Sequence, residues 1–126
     1  MEEWDPSLIQ LEETAKTEAD VLLFVIGSQT RAIASMIEVA ELAADPNSNK
    51  RLVVVVQDVP ANASLGDEKV GPSQLKDLNR GRAYLAKCLD RHGVPAMSDV
   101  ATGVRECVRR CKGIARSERR KQRHIL

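Results

Sequence analysis

Two runs of the chain lack polar alternation altogether. Val21-Leu22-Leu23-Phe24-Val25-Ile26 and Leu52-Val53-Val54-Val55-Val56 are apolar at every position, which fits parallel strands covered on both faces. Between them Ile33, Ile37, Ala40 and Ala44 recur at helical spacing until Asp45-Pro46-Asn47 stops the pattern, with Thr30 as candidate N-cap. Strand, helix and strand in that order predict a right-handed βαβ unit. Upstream, Asp5-Pro6-Ser7 reads as a helix start, with Leu8, Leu11 and Ala15 on one stripe. Downstream, Ala61 to Pro72, with Gly66 and Gly71, reads as a flexible loop placed to act as a lid. Ser73 then opens a helix with Leu75, Leu78, Leu85 and Leu89 inward, closed by His92-Gly93. Val94 to Met97 is a candidate third strand, and Ser98 opens a last helix with Val100, Val104, Cys107, Val108 and Cys111 inward. The expected fold is a small flavodoxin- or Rossmann-like α/β three-layer sandwich with a short parallel sheet of two or three strands. It spans residues 1–112 and is followed by a basic tail, 113–126, expected to be flexible.

Composition narrows the function classes. Of 126 residues only Trp4, Phe24 and Tyr84 are aromatic, so stacked recognition of nucleic acid is disfavoured and the core must be built from Val, Leu, Ile and Ala. Net charge is near neutral, but Arg105 to Leu126 holds nine Lys/Arg against two acids. That segment, with Arg119-Arg120-Lys121-Gln122-Arg123, is expected to give at most weak, sequence-blind attraction to polyanions, or to serve as a nuclear address. No apolar run approaches the roughly 20 residues that cross a bilayer, and no signal peptide opens the chain. Cys88, Cys107 and Cys111 are an odd number without framework spacing, as expected of reduced thiols in the cytoplasm or nucleus. Their spacing with His92 is not that of a short zinc motif, and the apolar stripe under Cys107 and Cys111 reads as core. No metal or cofactor is expected.

Chemistry concentrates after the first strand. Gly27-Ser28-Gln29-Thr30-Arg31 is a polar crossing into a helix N-terminus, where free amides and the helix dipole favour anions at the carboxyl end of a parallel sheet. On a helix, Arg31, Ser35 and Glu38 would share one column, placing a cation, a hydroxyl and a carboxylate together. A carboxylate there can attack a sugar anomeric carbon or steady an oxocarbenium-like transition state, although a solvated charge column is the alternative. Asp58, after the second strand, can reach a sugar hydroxyl or sit in water. Asp20 precedes the first strand and reads as structural, with Lys16 as a partner at helical spacing.

Three segments in order, Trp4-Asp5-Pro6-Ser7-Leu8-Ile9, Ala19-Asp20-Val21-Leu22-Leu23-Phe24-Val25-Ile26 and Thr30-Arg31-Ala32-Ile33-Ala34-Ser35-Met36-Ile37-Glu38-Val39-Ala40, resemble the nucleoside 2-deoxyribosyltransferase-like family. The resemblance covers roughly residues 4 to 59. It implies a flavodoxin-like fold, cleavage or transfer at the N-glycosidic bond of a deoxyribonucleoside or its monophosphate, and oligomeric assembly. It also implies Glu38 as nucleophile, with Gly27, Ser28, Thr30, Arg31, Ser35 and Asp58 shaping the sugar or phosphate site. Against the family pattern, the opening β-α-β segment has no counterpart here. The edge of strand 21–26 is therefore expected to be covered by a second copy or another partner chain, by a rearranged segment or by an upstream region. A non-catalytic interaction module that keeps the βαβ core is the alternative function.

Overall fold

The computed structural model describes residues 8–11 and 18–125, with side chains as far as Arg120. Residues 8–11 are helical; the helix start at Asp5-Pro6-Ser7, together with Ala15 and Lys16, lies outside the described residues. The expected strands form where the apolar runs stand: β1 is Leu22–Ile26, β2 is Leu52–Val56, and a short β5, Ala96–Met97, completes a three-stranded parallel sheet ordered β1-β2-β5. Leu22 pairs with Leu52 and Ile26 with Val56, so the two long strands run in full register. Helices α1, Ile33–Ala44, and α2, Pro72–Arg91, cover one face, and α3, Val100–Ile125, lies on the other. This is a mixed α/β three-layer sandwich of the small Rossmann- or flavodoxin-like kind.

The core lies between the sheet and the helix pair α1 and α2. Leu22, Ile26, Leu52 and Val54 meet Val39, Ala43, Leu85 and Leu89 there, with Phe24 and Met36 packed against them. The alternate strand residues, Leu23, Val25, Val53 and Val55, face α3 instead. Gly103 is a point of close approach on that side. A Cβ built on it would meet Val55 Cγ2 at 2.5 Å and Leu23 Cδ1 at 3.4 Å, so glycine lets the helix backbone rest on the strands.

Several helix details depart from the sequence reading. The buried stripe of α1 is Val39 and Ala43, joined by Ala32 and Met36, whereas Ile33 and Ile37 are exposed. The helix is apolar nearly all round, so periodicity leaves the choice of face open; of the expected stripe, Ala40 does pack against the core. Thr30 does not cap it: the N-cap is Ala32, held at φ 54° without a side-chain bond. Ser73 is likewise replaced as cap by Gly71, with Pro72 entering the first turn. Asp99, rather than Ser98, caps α3 by accepting from the Thr102 amide at 2.6 Å. Of the expected inward stripe on α3, Val100, Val104, Val108 and Cys111 are exposed. Residues from 113 onward, read as a separate tail, continue α3 as helix to Ile125. The expected loop at 61–72 contains an antiparallel hairpin of β3, Ser64–Leu65, and β4, Glu68–Lys69, with Leu65 and Val70 buried.

Candidate functional site

In parallel sheets the carboxyl ends of the strands form the rim that receives ligands. Here that rim carries a cleft of about 340 Å³ lined by Ser28, Val56, Gln57, Asp58, Pro60 and Ser98. The three segments that follow β1, β2 and β5 all contribute to it. A larger depression of about 580 Å³ runs along α2 between Ser73 and Arg80; the described residues that line it all belong to that one helix.

What shapes the rim is Arg82, only 1% exposed. Its Nε donates to the Gln57 carbonyl at 2.8 Å, and its Nη2 donates to the carbonyls of Gly27 at 2.9 Å and Thr30 at 2.7 Å. One guanidinium from α2 thus ties the loop after β1 to the loop after β2. Its planar fork of donors suits this in a way a lysine ammonium does not. Burial pushes the Arg82 pKa down, and the nearby Asp58 carboxylate opposes that shift. Two further bonds secure the loops. The Ser28 amide donates to Gln57 Oε1 at 3.3 Å. Asn79 accepts from the Val59 amide at 2.7 Å and donates to the Val59 carbonyl at 3.0 Å.

The expected site residues fall into two groups. Ser28 and Asp58 line the cleft, while Gly27 and Thr30 support it through the carbonyls that Arg82 holds. Arg31, Ser35 and Glu38 do not line it. Arg31 lies before α1 begins and pairs with Glu68 of β4 at 3.0 Å, so the helical column with Ser35 and Glu38 does not include it. Ser35 and Glu38 are half-buried on α1. Met36, one side of the same helix, lies 3.6 Å from a Cβ built on Gly81 of α2. Helical geometry therefore turns Ser35 and Glu38 to the opposite flank, away from α2 and over the outer edge of β1.

Arg82, Gln57 and Ser98 shape or line the candidate site, and sequence reasoning did not single them out for it. Arg82 did leave a signal: it stands in the spacing Leu78, Arg82, Leu85, Leu89, an arginine inside an apolar stripe, and a charge in that position needs fixed partners. Asp20 is exposed at the amino end of β1 and, with Lys50 and Arg110, borders a separate shallow cleft at the far end of the sheet. Cys88 and Cys107 are half-buried, and burial raises the Cys107 thiol. Among the described residues no group of three His, Cys, Asp or Glu side chains is placed to hold a metal, and no helix is long and apolar enough to cross a membrane.

Fold and rim define a small α/β domain with one polar cleft at the carboxyl end of its parallel sheet. Comparison with protein-family models, with curated proteins and with solved structures gave no match to this chain.

Proposed function

We propose that this domain binds a nucleoside or nucleoside monophosphate in the rim cleft, in the manner of a nucleoside 2-deoxyribosyltransferase-like domain. The observation that carries the reading is the Arg82 clamp: three loop carbonyls on one guanidinium fix Ser28, Gln57 and Asp58 around a shared opening. A pre-formed polar rim of this kind suits sugar hydroxyls, with Asp58 as acceptor and the Ser28 and Ser98 hydroxyls as donors or acceptors.

The N-glycosidic chemistry that the family resemblance implies would use Glu38, which is not among the residues lining the rim cleft, so it stands apart from the binding proposal and is tested separately, by base release. A Glu38 oxygen attacks the anomeric carbon, and the C–N bond breaks with its electron pair leaving on the base, which takes up a proton. Water or a second base then releases the sugar from the glutamyl ester. The exposed apolar surface described below favours the second reading, an interaction module that performs no chemistry.

One titration separates the two. The chain is mixed with the four deoxynucleoside monophosphates and their nucleosides; binding is followed by calorimetry and free base by chromatography. Binding that falls at least about tenfold in Asp58→Ala, with base release abolished in Glu38→Gln, is the expected outcome. Binding without release retains the cleft and removes the chemistry, whereas no binding by a folded chain overturns the nucleotide site and leaves the interaction module. As part of the same proposal, the chain acts in the cytoplasm or nucleus.

A further inference from the structure

The outer edge of β1 and the flank of α3 above it form one apolar surface. Ile26 accepts from the Gln57 amide at 2.9 Å, so the backbone groups of Ile26, and by alternation those of Phe24 and Leu22, are directed to β2. The amides and carbonyls of Leu23 and Val25 point the other way, to the side of the sheet where no strand follows among the described residues. The Leu23 and Val25 side chains, on the α3 face, remain 39% and 41% exposed. Gly103 directs α3 onto the sheet, and a right-handed helix running antiparallel to the strands turns Val100, Val104 and Val108 toward that same edge. These three valines are 41%, 44% and 46% exposed.

We propose that this surface is the interface of a two-fold dimer of this chain, with β1 paired antiparallel to β1 of the second copy and α3 packed against its α3. The geometry is self-complementary at two levels. An axis normal to the sheet beside Phe24 sets Leu23 opposite Val25 of the second copy, and these are the residues whose hydrogen-bonding groups face outward. Gly103 touches Leu23 and also Val55, the register partner of Val25, so α3 crosses at the height of Phe24 near Val104. The same axis therefore sets Val104 against itself and Val100 against Val108.

Spacing agrees as well. With strands about 4.8 Å apart and α3 seated between β1 and β2, the two helix axes come to about 10 Å, close to the usual packing distance of 8–10 Å. Charge does not oppose the contact. From Val100 to Ala115 the flank that faces the axis carries Val100, Ala101, Val104, Val108, Cys111 and Ala115, whereas Arg105, Arg109, Lys112 and Arg116 fall on the solvent side of the helix. The five half-open side chains supply on the order of 300 Å² of apolar surface per copy. The paired strand backbones, Cys107 and Cys111 add to this, toward the roughly 800 Å² per partner of a stable interface. The proposal is independent of what the rim cleft binds.

Sedimentation of the 126-residue chain at tens of micromolar tests it. The expected species has twice the 13.9 kDa chain mass. Val104→Lys puts two ammonium groups on the axis and is expected to raise the dissociation constant at least about 100-fold, with an unchanged circular dichroism spectrum because Val104 is not in the core. Ile37→Lys, at an exposed apolar position on the outer side of α1, is expected to leave the dimer intact. A wild-type monomer, as would result if the chain's own first 18 residues covered this surface, overturns the proposal. So does a dimer that survives Val104→Lys.

Discussion

Ile26 and Val25 are neighbours in β1, yet Ile26 is sealed beneath α1 whereas Val25, on the opposite face, is two-fifths open to solvent. The difference is one of layer construction. Among the described residues, two helices cover the α1 and α2 face, so that both β1 and β2 are closed there, and a single helix covers the other face. Val53 and Val55 of β2 are fully buried beneath α3, but it covers β1 only in part, touching Leu23 near Gly103 and leaving Leu23 and Val25 about two-fifths exposed. A hydrophobic strand with unlike faces thus shows where the packing of the described residues stops.

The largest test of this contrast removes the group that organises the closed face. Arg82→Met leaves the carbonyls of Gly27, Thr30 and Gln57 without their donor in a buried setting. The expected cost is about 3–5 kcal/mol in urea unfolding, together with loss of ligand binding at the rim. A loss below about 1 kcal/mol would mean that water replaces the guanidinium and that the clamp is not structural.

Next comes the pair of adjacent truncations. In the dissociated chain Ile26→Ala opens a cavity in the core and is expected to cost about 3 kcal/mol, while Val25→Ala, one residue away, should cost under about 1 kcal/mol. Equal losses would show that the two faces are equally packed in solution. Gly103→Ala probes the α3 side directly: the added methyl meets the Val55 methyl at 2.5 Å, and lifting the helix is expected to cost about 1–3 kcal/mol.

The same contrast explains what could be read in advance. β1 and β2 were legible because uninterrupted apolar runs have one economical reading, and the stop at Asp45-Pro46 was legible because proline and a turn-forming acid end a helix for local reasons. The stripe of α1 was not, since Ile33/Ile37 and Met36/Val39 satisfy the same period and only the sheet decides between them. The three valines of α3 read as core for the same reason: periodicity reports an apolar face without saying whether this chain covers it. At the site, Ser28 and Asp58 were found because strand ends locate the rim. Arg31 was placed on a helix that begins two residues later, and Arg82 was missed because its role depends on three backbone carbonyls from distant loops, to which a sequence pattern gives no direct access.

The smallest effect concerns how α3 is fastened at its amino-terminal half. Arg109 and Arg110 hold the Glu106 carboxyl at about 2, below its ordinary 4.5, and Arg110 also donates to the carbonyls of Lys50 and Leu52 at 3.1 Å each. Because the folded value is depressed, the carboxylate's contribution is whole above about 4.5 and is lost as pH falls toward about 2. These are largely solvent-screened contacts, so the effect on stability is a modest change in pH slope. Urea midpoints measured between pH 5 and 2 should fall less steeply in Glu106→Gln than in the parent chain. Parallel curves would show that the Glu106 cluster does not anchor α3 to the start of β2, leaving the Gly103 contact as the principal attachment of that face.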